Sequence, residues 1–110
     1  MNINLKKEVL KAQWSKNKWE FAKISDFINF FVSIEDKKPV VKLVLTRGQK
    51  VIGKVKTHFW KEANDGNIYK AHGIVVIDTL DGTIKSIDIL DIQRILDHDD
   101  KPLFNWTGPE

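Results

Sequence analysis

The sequence contains no cysteine, which excludes disulfide bridges, thiolate metal ligands and cysteine nucleophiles. It contains no apolar run near the roughly 20 residues that a membrane-spanning helix needs. The first residues also lack the apolar stretch of a secretion signal. We therefore expect a soluble, cytoplasmic protein that has no membrane partner.

The sequence also lacks the spacing of a Ser-His-Asp set or a catalytic carboxylate pair, so we expect no enzyme and no cofactor. His58, His72 and His98 are far apart in the sequence. We interpret them as structural or exposed residues and predict no metal site. Four tryptophans are present and could stack on bases, although packing within the protein is the favoured interpretation for each.

What the chain does have is enough apolar material for one domain. Its 110 residues are 42% hydrophobic and include six phenylalanines. The charge is uneven, with seven basic and two acidic residues in 40–70 but three basic and eight acidic residues in 71–110. One part of the surface is therefore expected to attract polyanions. The alternative is that the charged residues only keep the surface hydrated.

The stretch GQKVIGKV, at residues 48–55, nearly matches a phosphate-binding loop. Such a loop needs a hydroxyl after its lysine and a helix that starts there, but Val55 has no hydroxyl and the following residues alternate as in a strand. We therefore reject a nucleotide site. Gly48 and Gly82 are instead predicted to form tight turns, and Gly53 to mark a bend or a close backbone approach.

The N-terminal third is expected to be helical. Apolar residues at helical spacing predict a helix over Leu5–Gln13. Residues 25–34 could form a helix or a strand, and we favour a helix because Ser25 and Asp26 are good N-caps. The predicted organisation is a helical extension over residues 1–24, a barrel with a leading helix over 25–97, and a tail over 98–110.

From residue 40 onward the pattern has the period of two that is typical of strands. The predicted elements are strands over 40–45 and 50–60, a turn at Asn64-Asp65-Gly66-Asn67, a strand in HGIVVIDTL, a turn at Asp81-Gly82, a strand in TIKSIDI, one helical turn at Leu90-Asp91 and a short strand IQRIL. In the tail, Leu103, Phe104 and Trp106 are expected to pack back on the body. The fold predicted from this pattern is mostly β: a five-stranded SH3-like barrel behind helical segments.

Alternation along residues 50–60 predicts a basic strand face. Lys50, Lys54, Lys56 and Trp60 should share one side, opposite Val51, Gly53, Val55, Thr57 and Phe59. Lys42 on the preceding strand is expected to join the lysines. Lysines give phosphate affinity and a nearby aromatic ring can stack on a base. The alternative is that this is simply the solvent face of a hairpin.

The stretch PVVKLVLTRGQKVIGKVKTHF resembles the first signature of Sm-like proteins, which include Sm, LSm and Hfq proteins. Leu45, Gly48, Gly53 and Val55 match that signature, and residues 73–95 resemble its closing hairpin, helical turn and strand. The resemblance covers about residues 26–96. YolD-like proteins and other SH3-like small barrels share parts of it and form the second choice.

The resemblance implies a non-enzymatic RNA-binding protein that forms a homo-oligomeric ring through its edge strands, for which VIGKVKTHFW and IQRIL are the candidates. The base-gripping Asp and Asn after the second strand, the Arg-Gly of the second signature and the Tyr-Lys-His of Hfq are absent. Lys85 lies roughly where the RNA-contacting residues of the family would lie. The alternative is an SH3-like module that binds a protein partner through Trp60 and the insertion at 61–71.

Overall fold

The computed structural model describes residues 11–66 and 68–106. Within them the chain is mostly β, as predicted, with one long α-helix and six strands. The elements are α1 (Lys18–Ser33), β1 (Val40–Leu45), β2 (Lys50–Asp65), β3 (Ile68–Thr79), β4 (Ile84–Asp88), a 3-10 turn (Ile89–Asp91), β5 (Ile92–Leu96) and β6 (Pro102–Asn105).

Helix α1 confirms the helical alternative for residues 25–34, but it begins earlier than expected. Its N-cap is Asn17, whose side chain accepts a hydrogen bond from the Glu20 N–H at 2.9 Å, while a Glu20 carboxylate oxygen accepts one from the Lys16 N–H at 2.6 Å. These two hydrogen bonds satisfy the Glu20 N–H of the first turn and the Lys16 N–H just before the cap, in a variant of the capping box. The predicted caps Ser25 and Asp26 therefore lie inside the helix, which crosses the predicted boundary between residues 24 and 25.

One stripe of α1 is fully buried against the sheet: Ile24, Phe27, Ile28 and Phe31. Spacing of three and four residues places these side chains on one face of the helix. Their packing partners include inward-facing residues of every strand from β1 to β5, such as Val41, Val75 and Ile95. The helix therefore covers one side of the sheet, here called the inner face, and the opposite side is called the outer face.

The six strands form one antiparallel sheet in the order β4-β3-β2-β1-β5-β6. The outermost strands β4 and β6 do not pair with each other, so the described sheet is open rather than a closed five-stranded barrel. The predicted edge strands were partly wrong. Strand β5 lies between β1 and β6, and residues 50–54 of β2 pair with β1, whereas residues 55–60 of β2 have a ladder partner only in β3.

The turn predictions are confirmed. Gly48 and Gly82 have φ of +86° and +88°, so each lies in the left-handed region that glycine adopts without strain. Of the turn predicted over residues 64–67, residues 64 and 65 belong to β2, Gly66 is in a turn with φ of +69°, and residue 67 lies outside the described residues. The insertion at 61–71 is the far end of the long β2–β3 hairpin, paired as far as Asp65 with Ile68. The 3-10 turn and β5 also lie where they were predicted.

Strand β2 bends where Gly53 approaches β3 and where the register shifts between Val55 and Thr57. A Cβ atom on Gly53 would lie 2.8 Å from the Thr79 Cα, inside any normal contact. The register shift leaves Lys56 as the additional residue of a β-bulge. The bulge reverses the alternation beyond it, so Trp60 packs on the core while Phe59, which is 36% exposed, pairs with outward-facing Ile74.

The segment that precedes α1 crosses the outer face of β3. The Ser15 N–H donates to the Ala71 carbonyl at 2.8 Å, and the Ala71 N–H donates to the Ser15 Oγ at 2.9 Å. Ala12 packs with Ile74, Val76 and Ile84 in a second, smaller core. Most of the predicted helix Leu5–Gln13 lies outside the described residues. Of its end, residue 11 is helical and residues 12 and 13 are not.

The C-terminal tail packs back on the body as expected, but it does so as a strand that the sequence pattern did not predict. Phe104 and Trp106 pack against the main core, whereas Leu103 remains 41% exposed. The β6 ladder pairs Phe104 with Ile95 and Asn105 with Arg94. The tail therefore extends the sheet by one strand.

Candidate nucleic-acid interface

Three of the predicted lysines lie on the outer face of β1 and β2. In the antiparallel ladder Lys42 is opposite Ile52, Lys50 is opposite Val44, and Lys54 is opposite Val40. Residues that face each other in a ladder point to the same side of the sheet. Lys42, Lys50 and Lys54 therefore share one face, as the alternation predicted.

Arg94 on β5 belongs to the same face, although the sequence did not indicate it. It is the ladder partner of Val44, which in turn faces Lys50, so the two cations are separated by one strand. Strands lie about 4.8 Å apart, which places Lys50 and Arg94 about 10 Å apart at their backbones. Both side chains are exposed, as is Lys54. Only the strand order brings Arg94 to this face, and strand order is not readable from the alternation of a single strand.

Acidic side chains reduce the charge of part of this face. The Lys42 Nζ donates to the Asp100 Oδ1 at 2.8 Å, and this hydrogen bond together with the positive charge of Lys42 lowers the pKa of Asp100. Lys54 is also paired with Asp78 of β3, the neighbouring strand opposite to β1, so an acidic side chain lies beside Lys54 on the same face. Lys42 is therefore committed to an internal ion pair. The exposed cations of the face around it are Lys50, Lys54 and Arg94, and Lys61 is exposed on the same side of β2 farther along the hairpin.

Lys85 lies near the start of β4, just after the β3–β4 turn. With Lys50 it lines a shallow cleft of about 240 Å³, whose other lining residues are Val51, Ile52, Thr79, Leu80 and Asp81. Leu80 is 69% exposed, so the cleft has an apolar rim beside two cations. Lys85 is the ladder partner of inward-facing Ile77, so it does not belong to the outer face. It can still contact a ligand together with Lys50, because both line this cleft.

The turn beside this cleft is fixed by Asp81. Its carboxylate accepts hydrogen bonds from the Thr79 hydroxyl and from the Thr83 hydroxyl and N–H. These hydrogen bonds lower the pKa of Asp81 from 3.8 to about 2, and the one from the Thr79 hydroxyl contributes most. The carboxylate is therefore ionised at neutral pH and holds the turn that carries Leu80.

Lys56 and Trp60 do not join the lysine face, because the bulge separates them from it. Lys56 lines a groove of about 350 Å³ together with Glu35, Asp36 and His58 on the helix side of the sheet. Trp60 is half-buried against the inner core, where its Cβ lies close to Gly73. The prediction that both side chains accompany Lys50 and Lys54 was therefore wrong in its geometry.

Three further tryptophans are engaged within the chain. Trp14 stacks on buried His72 with ring centroids 3.8 Å apart, and the Lys70 Nζ lies 4.9 Å from the Trp14 ring. Trp19 stacks on Trp106 at 5.6 Å. These contacts agree with the interpretation of the tryptophans as packing residues.

His72 is 1% exposed, and its Nδ1 lies 3.3 Å from the Ala12 carbonyl oxygen. His98 is exposed and lies 3.3 Å from an oxygen of Asp99. Among residues 11–66 and 68–106, no group of three potential metal-binding side chains comes together. In the same part of the chain, no helix combines the length and apolar character that crossing a membrane requires.

The near match to a phosphate-binding loop is a β-hairpin. Lys54 lies in the middle of β2, and the Gly48 N–H donates to the Leu45 carbonyl at 2.9 Å within the β1–β2 turn. No helix begins at Lys54, so the cradle of N–H groups that binds a nucleotide phosphate is absent from this described segment. The rejection of a nucleotide site therefore agrees with the local structure.

No protein-family model matches the sequence, and no curated protein matches it. Among solved structures, the fold is similar to that of a Xanthomonas campestris protein whose crystal structure is described as adopting a novel variant of the Sm-like motif. The two structures have a TM-score of 0.57 at 17% sequence identity, over 78% of this chain and 92% of the other. The likeness concerns the fold alone and supports the Sm-like part of the sequence resemblance.

Proposed function

We propose that the chain is a non-enzymatic, Sm-like RNA-binding protein that contacts the phosphates of single-stranded RNA through its outer face. The observation that carries this proposal is the grouping of Lys50, Lys54 and Arg94. All three side chains are exposed, on β2 and β5 with β1 between them, and point to the same side of the sheet. Rigid strands hold the three cations at fixed spacing, which lowers the entropy lost on binding a polyanion.

This arrangement favours affinity over sequence discrimination. Lysine and arginine contacts to phosphates position a nucleic acid without reading its bases. Trp60, the predicted stacking residue, faces the core, and Lys42 is paired with Asp100. The remaining candidate for a contact beyond phosphates is the cleft of Lys50, Lys85 and Leu80. We therefore expect binding with strong salt dependence and little base preference.

Assembly into a homo-oligomeric ring stays part of the hypothesis, but the edges differ from those expected. Among the described strands the outermost ones are β4 and β6, and β5 is paired on both sides. A ring that uses the β5 edge therefore requires β6 to leave it first. Light scattering of the purified protein measures whether it is a monomer or a ring.

The test of RNA binding is a comparison of two variants with equal charge change. In the first, Lys50, Lys54 and Arg94 are all replaced by Gln. In the control, Lys16, Lys18 and Lys37 are replaced by Gln; these exposed residues lie near the start of α1 or in the turn after it, and none of them belongs to β1, β2 or β5.

Each phosphate contact on a single strand adds about 0.7 to the slope of log K against log salt. The outer-face variant should therefore lose about 2 from that slope in a fluorescence anisotropy titration, while the control keeps it. An equal loss in both variants would mean that net charge, and not this face, carries the binding. RNA binding that neither variant weakens would place the site elsewhere.

The alternative function is an SH3-like protein-interaction module. Its predicted anchor, Trp60, is half-buried against the core, which leaves it less surface for a partner than the sequence suggested. The exposed aromatic residues of the long hairpin are Phe59 and Tyr69, and their ladder partners Ile74 and Asn64 place them on different faces. A wild-type protein that binds no RNA at low salt would favour this alternative.

A further inference from the structure

The long strand β2 has one free edge beyond Lys54. Residues 50–54 pair with β1 on one side and residues 53–65 pair with β3 on the other, so the far part of the strand has a ladder partner on one side only. Such an edge presents N–H and C=O groups that readily pair with a further strand. The bulge at Lys56 interrupts the regular ladder, and residues 57–63 beyond it are here called the β2 edge.

The direction of the backbone groups along this edge follows from Ala71 of β3. Its N–H donates to the Ser15 Oγ and its carbonyl accepts from the Ser15 N–H, so both groups point away from β2. In an antiparallel ladder, opposite residues point their backbone groups either toward or away from each other, and the direction alternates along the strand. Because Glu62 is the ladder partner of Ala71, the backbone groups of Glu62, Trp60 and His58 point away from β3, toward the free side.

There is room for another strand on this side. Among the described residues, the outward backbone groups are little used: the Thr57 hydroxyl lies 3.4 Å from the His58 carbonyl oxygen, which is long for a hydrogen bond. A groove of about 350 Å³ opens beside the start of the edge, where Phe31 of α1 and Glu35 form its other wall. The β2 edge therefore combines free hydrogen-bonding groups with adjoining space.

The sequence of the edge, THFWKEA, is complementary to itself when two copies run antiparallel with Trp60 opposite Trp60. On the inner side, His58 then faces Glu62 of the second copy. On the outer side, Phe59 faces Lys61 of the second copy. A carboxylate opposite an imidazole and an ammonium opposite an aromatic ring are favourable cross-strand pairs. The same register brings the outward backbone groups of His58, Trp60 and Glu62 together as hydrogen-bonded pairs.

Neighbouring registers are less favourable. A register centred one residue closer to the hairpin tip places Lys61 opposite Lys61 of the second copy, and like charges directly opposite each other are destabilising. A register centred one residue in the other direction separates His58 from Glu62 and places Glu62 opposite the bulge at Lys56. Charge and backbone geometry therefore select the register that is centred on Trp60.

We propose that two copies of the chain pair antiparallel through the β2 edge, around a twofold axis at Trp60, and form a closed dimer. A contact of this kind uses the same surface on both copies, so assembly ends at two. It leaves the outermost strands β4 and β6 unused and is distinct from the ring considered above. The inference depends neither on RNA binding nor on a ring.

The first experiment measures mass by sedimentation equilibrium, without RNA, over a range of protein concentrations. We expect wild type to pass from 12.7 kDa to twice that mass as the concentration rises. His58→Glu places a carboxylate opposite Glu62 at two symmetric positions, and it should raise the dissociation constant about tenfold or more. The matched control is His98→Glu, the same substitution at an exposed histidine between β5 and β6, which should dimerise like wild type.

A charge swap tests the register. The double variant His58→Glu with Glu62→His restores the opposite pair at both positions. Within one chain these side chains are about 13 Å apart along the strand, so they cannot compensate for each other there. The double variant should therefore regain the dissociation constant of wild type to within a few-fold. A double variant that dimerises as weakly as His58→Glu would overturn the proposal.

A cysteine pair captures the dimer directly. In the proposed register Thr57 lies opposite Ala63 of the second copy, at a pair without hydrogen bonds, where Cα atoms are about 4.5 Å apart and within disulfide range. Within one chain the two positions are about 20 Å apart along β2, too far for a bridge. Because the chain has no cysteine, oxidation of Thr57→Cys with Ala63→Cys should give a covalent dimer on a non-reducing gel, whereas each single variant should give little.

Three further results would overturn the proposal. The first is a wild-type chain that stays at 12.7 kDa at every concentration. The second is an assembly whose mass His58→Glu leaves unchanged. The third is a double-cysteine chain that is folded by circular dichroism and does not cross-link under oxidation. This last variant keeps His58, Trp60 and Glu62, so it decides the question even where a charge variant fails to fold.

Discussion

At Gly53 the backbone of β3 leaves no room for a side chain on β2, and Gly53→Ala tests whether the bend of β2 depends on that close approach. A Cβ atom there would lie 2.8 Å from both the carbonyl carbon of Asp78 and the Cα of Thr79. Both atoms belong to the backbone, so no side-chain rotation relieves the contact. The two strands must separate at a place where Gly53 faces Thr79 and Lys54 faces Asp78.

The cost has two parts. Overpacking of a tightly packed site costs about 1 to 3 kcal/mol. Weakening of a backbone hydrogen bond of the ladder adds about 1 kcal/mol. We therefore expect Gly53→Ala to lower the free energy of unfolding by about 3 kcal/mol, which at an m-value of about 1.5 kcal/mol/M moves the urea midpoint down by about 2 M.

Gly48→Ala is the control, because a Cβ atom at Gly48 meets nothing within 4 Å. Its cost comes only from the left-handed backbone and should be about 1 kcal/mol. Urea denaturation followed by tryptophan fluorescence measures both variants. Equal losses for Gly53→Ala and Gly48→Ala would refute the argument that close approach to β3 fixes the bend.

Three further predictions concern the helix cap, the β3–β4 turn and the stretch at residues 48–55 that nearly matches a phosphate-binding loop. Asn17→Ala removes the acceptor for the Glu20 N–H and should destabilise the protein by about 1 kcal/mol in urea, while exposed Asn29→Ala within α1 should cost less. Because the pKa of Asp81 is lowered to about 2, its stabilising effect is present above pH 3.8 and is lost as the pH falls toward 2; Asp81→Asn should remove this acid dependence, and an NMR titration midpoint near 3.8 would contradict it. ATP should leave the melting temperature of the wild type and of Lys54→Ala unchanged, and a shift abolished in Lys54→Ala would restore the nucleotide site.

Much of the fold could be predicted because local signals and final structure agree. Alternation from residue 40 onward gave the strands, and glycines at 48 and 82 gave the turns. The helix could be predicted from the spacing of Phe27 and Phe31. Its start could not, because Asn17 acts as the cap through a contact with Glu20 that competes with an equally good cap at Ser25.

The candidate site was only partly predictable, and the reason is the bulge at Lys56. One additional residue reverses the alternation, so a pattern followed through the strand places Trp60 on the wrong face. Arg94 was missed because its position beside Lys50 depends on the order of β1, β2 and β5. The cover of β5 by β6 was missed for a similar reason, since four residues with one inward phenylalanine carry no strand period.

The central claim is that the outer face binds single-stranded RNA through phosphate contacts, and the most direct test is a titration of the wild-type protein. Labelled oligo-A and oligo-U are titrated by fluorescence anisotropy at several salt concentrations. We predict binding at low salt, similar affinity for both oligomers, and a log K that falls with log salt with a slope of about −2 for three contacts. No binding at low salt would contradict the account, and so would binding that is insensitive to salt.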